Sequence, residues 1–112
     1  MKTTLSPYIK HTKTLKQAKP RGLHKLYEVR LSQDADKFIS KLNSQIQERI
    51  IERLKKLSLD PIPSDSKFIE RTNFGEKIFR YRIGDFRALY IIQEETERVI
   101  ITKIDKRPRV YD

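Results

Sequence analysis

Arginine side chains recur along one short stretch, KIFRYRIGDFRALY, which spans residues 77–90. Arg80 and Arg82 are two residues apart, and Arg87 follows shortly afterwards. Because alternate side chains of a strand point to opposite faces, Arg80 and Arg82 share one face of a strand. Guanidinium groups stay charged and bind phosphate through two parallel hydrogen bonds. This spacing therefore predicts a surface that binds a phosphate-containing anion.

A second set of polar side chains closes the sequence, whose last residues read KRPRVYD. Three cations precede a phenol here: Lys106, Arg107, Arg109 and then Tyr111. A free tyrosine has a pKa near ~10, so it is not a natural base at neutral pH. Clustered cations lower the pKa of a nearby phenol because they favour its anion.

The chain has few of the residues that metal sites and thiol chemistry require. It has no cysteine, and its two histidines, His11 and His24, both lie near the N-terminus. A zinc site or a histidine-based catalytic pair needs more ligands or bases than these. We therefore expect neither a metal nor an organic cofactor.

The charge balance indicates a polyanionic partner. The chain has 112 residues, with 25 Lys+Arg against 15 Asp+Glu and a formal net charge of +10. Such an excess attracts polyanions, among which nucleic acid is the commonest and an acidic protein the next. The sequence has no apolar run that approaches a membrane span and no secretory signal at its start, so we expect a cytoplasmic protein.

The composition divides the chain at about residue 25. Residues 1–25 carry seven cations and no acid, and prolines interrupt any regular element there. This composition predicts a partly flexible basic arm. The alternative is a poorly ordered extension with one short helix around residues 8–18. Residues 26–112 are long enough for one domain with a modest core.

Hydrophobic periodicity predicts a strand and two helices in the first half of that domain. LYEVRLS, residues 26–32, alternates as a half-buried strand does. Ser32 can cap a first helix, whose apolar stripe ends before Asn43. A capping-box pattern, Ser44 with Gln47, starts a second helix, and the proline-containing segment DPIPSDS ends it.

The second half of the domain is predicted to consist of strands. KFIERTNFG is irregular or briefly extended, residues 77–83 and 86–93 form a hairpin that turns at Gly-Asp, and residues 99–104 form a last strand. This order predicts an α+β fold, a small antiparallel sheet with a two-helix hairpin packed on one face. The other face stays open and basic, and the paired arginines of the hairpin lie on it.

The order β-α-α-β-β-β, with the segments SQDADKFISKL, FRYRIGDFRALY and KIDKRPRVYD, resembles the RelE/ParE superfamily of toxins, and within it the RelE branch. The resemblance covers about residues 26–112. RelE-type toxins are ribosome-dependent endoribonucleases that cut mRNA in the A site. The resemblance therefore implies a metal-independent mRNA interferase, with the ribosome and mRNA as partners and an acidic, RelB-like antitoxin that neutralises it.

The resemblance also implies a role for each residue that falls on a family position. Arg80 matches a basic strand position that contacts and activates the RNA, and Arg87 matches the arginine that binds the scissile phosphate. Arg107 matches a residue linked to the leaving group. Tyr111 matches a tyrosine that stacks on the mRNA base and helps to position or activate the attacking 2′-hydroxyl. The flanking cations that would bind RNA are Arg82, Lys106, Arg109 and Lys77.

The sequence departs from the family at one position and leaves two other functions open. Many RelE toxins carry a lysine where this chain has Ile78, and the adjacent Lys77 should face the other way. One alternative is a ParE-like toxin that inhibits DNA gyrase by binding, although such proteins typically lack the terminal K-R-x-R-x-Y set. The other is a non-catalytic, basic RNA-binding member of the family.

Overall fold

The computed structural model describes residues 12–15 and 26–106, which form a six-stranded sheet and two α-helices. In chain order the elements are β1 (Lys13–Thr14), β2 (Glu28–Leu31), α1 (Gln33–Ser40), α2 (Ser44–Lys55), β3 (Ser66–Arg71), β4 (Lys77–Ile83), β5 (Phe86–Gln93) and β6 (Arg98–Lys106). A short 3-10 helix, Lys56–Ser58, follows α2 directly. Neither helix of this described part is long and apolar enough to cross a membrane.

The strands lie in the order β1-β2-β6-β5-β4-β3, which makes the sheet mixed. The α+β fold is confirmed, with both helices packed on one face. The prediction of an antiparallel sheet is wrong for one pair of strands, because β2 and β6 run parallel. Parallel neighbours need a long crossover connection, and here that connection contains both helices and the whole β3-β4-β5 meander.

The strand β1 lies at the β2 edge of the sheet, in a region predicted to be an arm. Lys13 and Thr14 pair antiparallel with Leu31 and Arg30, and the neighbouring Leu15 is buried in the core. The alternative prediction of a short helix around residues 8–18 is therefore wrong for residues 13 and 14, which form a strand. Residues 1–11 and 16–25 lie outside the described part, so the division of the chain into arm and domain stays a prediction.

The strands of the second half agree closely with the sequence prediction. The hairpin of β4 and β5 has the predicted bounds, and the last strand, β6, extends beyond the predicted residues 99–104 at both ends. The segment predicted to be irregular or briefly extended contains β3. A bulge at Ile69 interrupts its pairing with β4.

The two helices begin at side-chain caps. The Ser32 Oγ accepts a hydrogen bond from the Ala35 backbone N–H at 3.1 Å, as predicted. The predicted capping box at Ser44 is wrong, because the cap of α2 is Asn43, whose Oδ1 accepts from a backbone N–H. The Gln47 amide instead donates to two carbonyls near the end of α1, so it ties the two helices together.

The core lies between the helices and one face of the sheet. Its buried members alternate along the strands and follow one stripe of each helix; they are Leu15, Val29, Leu31, Ala35, Ile39, Ile50, Leu54, Leu57, Phe79, Tyr81, Ile83, Ala88, Tyr90, Ile92, Val99, Ile101 and Ile104. The face opposite the helices, to which Arg80 and Arg82 point, is called the open face below because neither helix packs on it, although some of its side chains are buried.

Tyr90 is the largest fully buried side chain of the core. Its ring stacks on Phe79 with the ring centroids 5.6 Å apart. Its hydroxyl donates to the Pro61 carbonyl at 2.6 Å, which fastens the loop after α2 to the sheet. Burial raises the pKa of Tyr90 well above its ordinary value, so the hydroxyl stays a donor.

We expect Tyr90→Phe to lower the free energy of unfolding by about 1–3 kcal/mol, because a buried carbonyl then loses its donor. Tyr81→Phe is the matched control and should cost less. The hydroxyl of Tyr81 accepts from Arg53, and that guanidinium has further acceptors. Urea unfolding followed by circular dichroism measures both variants. Equal losses for the two would contradict the role of the Pro61 contact.

Candidate functional site

The turn between β4 and β5 sets the register of the arginines. Gly84 has φ 58°, and its partner in the turn, Asp85, does not share this left-handed conformation. Glycine at the first central position suits a two-residue II′ turn, whose twist matches that of the strands. The resulting register places Arg82 directly opposite Arg87.

Three arginines gather on the open face next to this turn. Arg82 and Arg87 form a cross-strand pair, and Arg80 follows on the same face of β4, where it lies opposite Leu89. Side chains directly opposite each other have Cβ atoms about 4.5–5.5 Å apart, and like charges there are destabilising. An anion bound between the two guanidinium groups would be attracted by both charges. The arrangement is therefore suited to a phosphate.

A bulge in β6 brings two further charged residues to the open face. Leu89 pairs with Lys103, whereas the next residue of β5, Tyr90, pairs with Ile101, so Thr102 is the extra residue. Its hydroxyl donates to the Leu89 carbonyl at 3.1 Å. The extra residue reverses the alternation of side chains beyond it. As a result Lys103 and Asp105 face the arginines, while Ile104 enters the core.

Asp105 is a carboxylate that contacts the arginine cluster. It lies directly opposite Arg87 in the ladder, and its Oδ1 is 3.3 Å from the Arg87 Nε. Its other oxygen, Oδ2, is 3.8 Å from the Nζ of Lys103. Both partners of the Arg87–Asp105 pair are about one-third exposed or less, so the pair lies at the edge of solvent.

Arg53 of α2 supports the hairpin from the helix side. Its Nε donates to the Tyr81 hydroxyl at 3.1 Å, and one terminal nitrogen donates to the Arg82 backbone carbonyl at 3.2 Å. The same nitrogen bonds to the Asp65 carboxylate at 2.9 Å. These contacts fix the backbone of β4 at the position from which Arg82 projects.

Other cations of the open face were missed in the sequence because only strand pairing reveals them. Lys67 of β3 lies opposite Arg80. Arg30 and Arg98 lie on β2 and β6, and both form ion pairs with Glu28. Burial raises the pKa of Glu28, but the Thr14 hydroxyl and the two guanidinium groups outweigh it, so the pKa lies below its ordinary value.

The structure does not bring every predicted residue to the cluster. Lys77 and Lys106 pair with Ile92 and Phe86, so they belong to the helix side of the sheet by register. Arg107, Arg109 and Tyr111 lie outside the described residues.

Ile78, which stands where many RelE toxins carry a lysine, belongs to a row of isoleucines in the structure. Ile78, Ile91 and Ile100 stand in register across β4, β5 and β6 on the open face. Both Ile91 and Ile100 are fully buried. Ile78 therefore continues an apolar row, and a lysine there would place its charge beside that row.

The chain is similar to known toxins in sequence and in structure. The family described as ParE toxin of type II toxin–antitoxin system, parDE, matches residues 29–111. A Methanocaldococcus jannaschii protein named as a RelE1 toxin is 29% identical, and the match covers 63% of this chain and 96% of that protein.

Two solved structures extend the similarity to the fold. A chain of the archaeal RelE–RelB complex from Pyrococcus horikoshii OT3 is 25% identical, with a TM-score of 0.67 over 75% of this chain and 98% of that chain. A chain of the toxin–antitoxin complex RelBE2 from Mycobacterium tuberculosis is 30% identical, with a TM-score of 0.61 over 73% of this chain and 99% of that chain.

The open face should bind single-stranded RNA in a strongly salt-dependent way, since each phosphate contact releases counterions. We expect Arg82→Ala and Arg87→Ala each to make the log–log slope of affinity against salt shallower by about one unit. Fluorescence anisotropy with a labelled oligonucleotide measures the slope. Lys77→Ala removes a cation from the opposite side and should leave the slope unchanged. The reverse pattern would contradict the assignment of the open face.

Proposed function

We propose that this chain, which belongs to the RelE/ParE superfamily of toxins from type II toxin–antitoxin systems, is a ribosome-dependent endoribonuclease that cleaves mRNA in the A site. The observation that carries the proposal is the arginine cluster, with Arg82 opposite Arg87 and Arg80 beside them on the open face. The resemblance to RelE toxins assigns phosphate chemistry to two of these residues. The proposed place of action is the cytoplasm, where the ribosomes are.

The reaction is an internal transesterification of RNA. The 2′-oxygen of a nucleotide attacks the adjacent phosphorus while the bond from phosphorus to the 5′-oxygen breaks. The products are a 2′,3′-cyclic phosphate and a 5′-hydroxyl, so the proton lost by the 2′-hydroxyl is balanced by one gained by the leaving oxygen. Negative charge develops on the phosphorane between these events, and preorganised cations that stabilise it supply a large part of catalysis.

The arginines of the hairpin fit the part of this reaction that needs positive charge. Arg87 binds the scissile phosphate, Arg80 stabilises the developing charge, and Arg82 completes the cationic pair with Arg87. Arg107 and Tyr111 take the roles that the resemblance implies, at the leaving group and at the 2′-hydroxyl. A tyrosine is a weak base, which suits an enzyme whose substrate is aligned by the ribosome.

We also propose an antitoxin as the protein partner. Two of the structural relatives were solved in complexes, one a RelE–RelB complex and the other a RelBE2 toxin–antitoxin complex. A chain with a net charge of +10 favours an acidic segment whose carboxylates oppose Arg80, Arg87 and Arg107. Such a segment is expected to order on binding.

A gyrase-binding toxin is the second candidate, because the matching family is described as ParE toxins. The two functions differ in a simple observable. A gyrase inhibitor acts by binding and leaves mRNA on the ribosome intact. A nuclease cuts that mRNA without needing gyrase.

We expect the wild-type protein to cleave mRNA in programmed 70S ribosomes, and Arg87→Ala and Arg80→Ala each to slow single-turnover cleavage on the order of 10²–10³-fold. Binding should weaken less than cleavage, because the contact strengthens as charge develops. Tyr111→Phe should keep base stacking and lose only the hydroxyl, so it should be less impaired than Tyr111→Ala.

The control for this experiment is Lys77→Ala, which should cleave at the wild-type rate. Absence of cleavage by the wild type would favour the gyrase inhibitor or a passive RNA-binding protein. Cleavage by the wild type that Arg87→Ala and Tyr111→Ala leave unchanged would overturn the site but not the family.

Co-expression with the product of the neighbouring gene tests the antitoxin. We expect a short acidic protein to co-purify at moderate salt and to abolish RNA binding by the open face. The triple variant Arg80→Ala/Arg82→Ala/Arg87→Ala should bind it more weakly, in an affinity measurement by calorimetry. Failure of the two wild-type proteins to associate would exclude this pairing.

A further inference from the structure

A carboxylate lies among the cations of the open face, where it opposes the binding of phosphate. Asp105 is about one-third exposed and stands directly opposite Arg87. An anion at this position lowers the positive potential that attracts RNA. A role for Asp105 must therefore lie in something other than the affinity for RNA.

The contact between Asp105 and Arg87 is directional. The carboxylate meets the guanidinium at Nε, at 3.3 Å. A guanidinium is a planar fork with several N–H donors, so a carboxylate at Nε leaves the terminal nitrogens as donors to a second anion. A carboxylate held there restricts rotation of the long side chain and fixes the plane of the fork.

Two features hold the carboxylate in place. The bulge at Thr102 turns Asp105 toward Arg87, because without the extra residue the alternation of β6 would direct Asp105 to the helix side. Lys103, two residues earlier and on the same face, contacts the second carboxylate oxygen at 3.8 Å. The backbone therefore sets the direction of the carboxylate, and the largely exposed Lys103 adds a weak attraction to it.

We propose that Asp105 is a positioning residue for RNA cleavage, which orients the Arg87 guanidinium so that its terminal nitrogens meet the scissile phosphate. The inference rests on the proposed nuclease function. Asp105 does not touch the RNA. Its charge weakens the binding of RNA, but it directs the N–H donors of Arg87 to the phosphate in the transition state.

The test separates RNA binding from cleavage in Asp105→Asn. The amide removes the negative charge, so affinity of the isolated protein for a single-stranded RNA should be equal to or tighter than that of the wild type. Single-turnover cleavage by saturating enzyme on programmed ribosomes should slow by about 10- to 100-fold, since a small misplacement of a catalytic group has an effect of this size. Asp105→Glu keeps the charge and should be intermediate in rate.

A double-mutant cycle distinguishes positioning from support of the fold. A lysine has no Nε–H fork to orient, so Asp105→Asn should cause no further loss of rate in an Arg87→Lys background. A structural role for Asp105 would lower the rate by the same factor in both backgrounds. Asp85→Asn, at the turn of the same hairpin, is the matched control and should cleave like the wild type.

Three outcomes overturn the inference. If Asp105→Asn binds RNA more tightly and cleaves at least as fast as the wild type, the carboxylate only weakens RNA binding. Equal losses in both backgrounds of the cycle would show a structural role. A wild-type protein that does not cleave would overturn the proposed function together with this inference. A wild type that cleaves while Asp105→Asn cleaves equally fast would overturn the inference and leave the function standing.

Discussion

The pairing of β4 with β5 is the constraint on which the candidate site depends. A two-residue turn allows few registers, and Gly84 supplies the positive φ that this one needs. The register places two guanidinium groups opposite each other on one face and Tyr81 and Ala88 in the core on the other. A slip by one residue would exchange these faces. The same alternation therefore specifies the core and the anion-binding surface.

The helices act on the site through this hairpin. Arg53 bonds to the Tyr81 hydroxyl and to the Arg82 carbonyl, and it stacks over the Tyr81 ring at 5.0 Å. Tyr90 holds the loop after α2 against the same sheet. Such contacts stiffen the scaffold beneath the cations, as expected for a site that must present fixed charges. The stability of the core and the geometry of the open face are thus linked.

Much of this arrangement could be predicted from the sequence, because it follows from local periodicity. The alternation in β4 and β5 predicts their bounds and the shared face of Arg80 and Arg82. The remainder depends on long-range pairing. The parallel contact of β2 with β6, the edge strand β1 and the bulge at Thr102 have no local signal. Asp105 illustrates this limit. It faces Arg87 because of the extra residue Thr102, which is seen only in the pairing of β5 with β6.

The two edges of the described sheet differ, and this difference decides how open each edge is to pairing with a second chain. On one side β1 pairs with β2, whose backbone groups would otherwise be open to another chain. At the opposite side β3 ends the described sheet, with Phe68 and Ile69 substantially exposed. The bulge at Ile69 breaks the regular spacing of hydrogen-bonding groups there, and charged neighbours flank it. An irregular hydrogen-bonding edge and flanking charges both hinder edge-to-edge pairing with another chain, so the two exposed apolar side chains of β3 lie on a strand that is a poor template for such pairing.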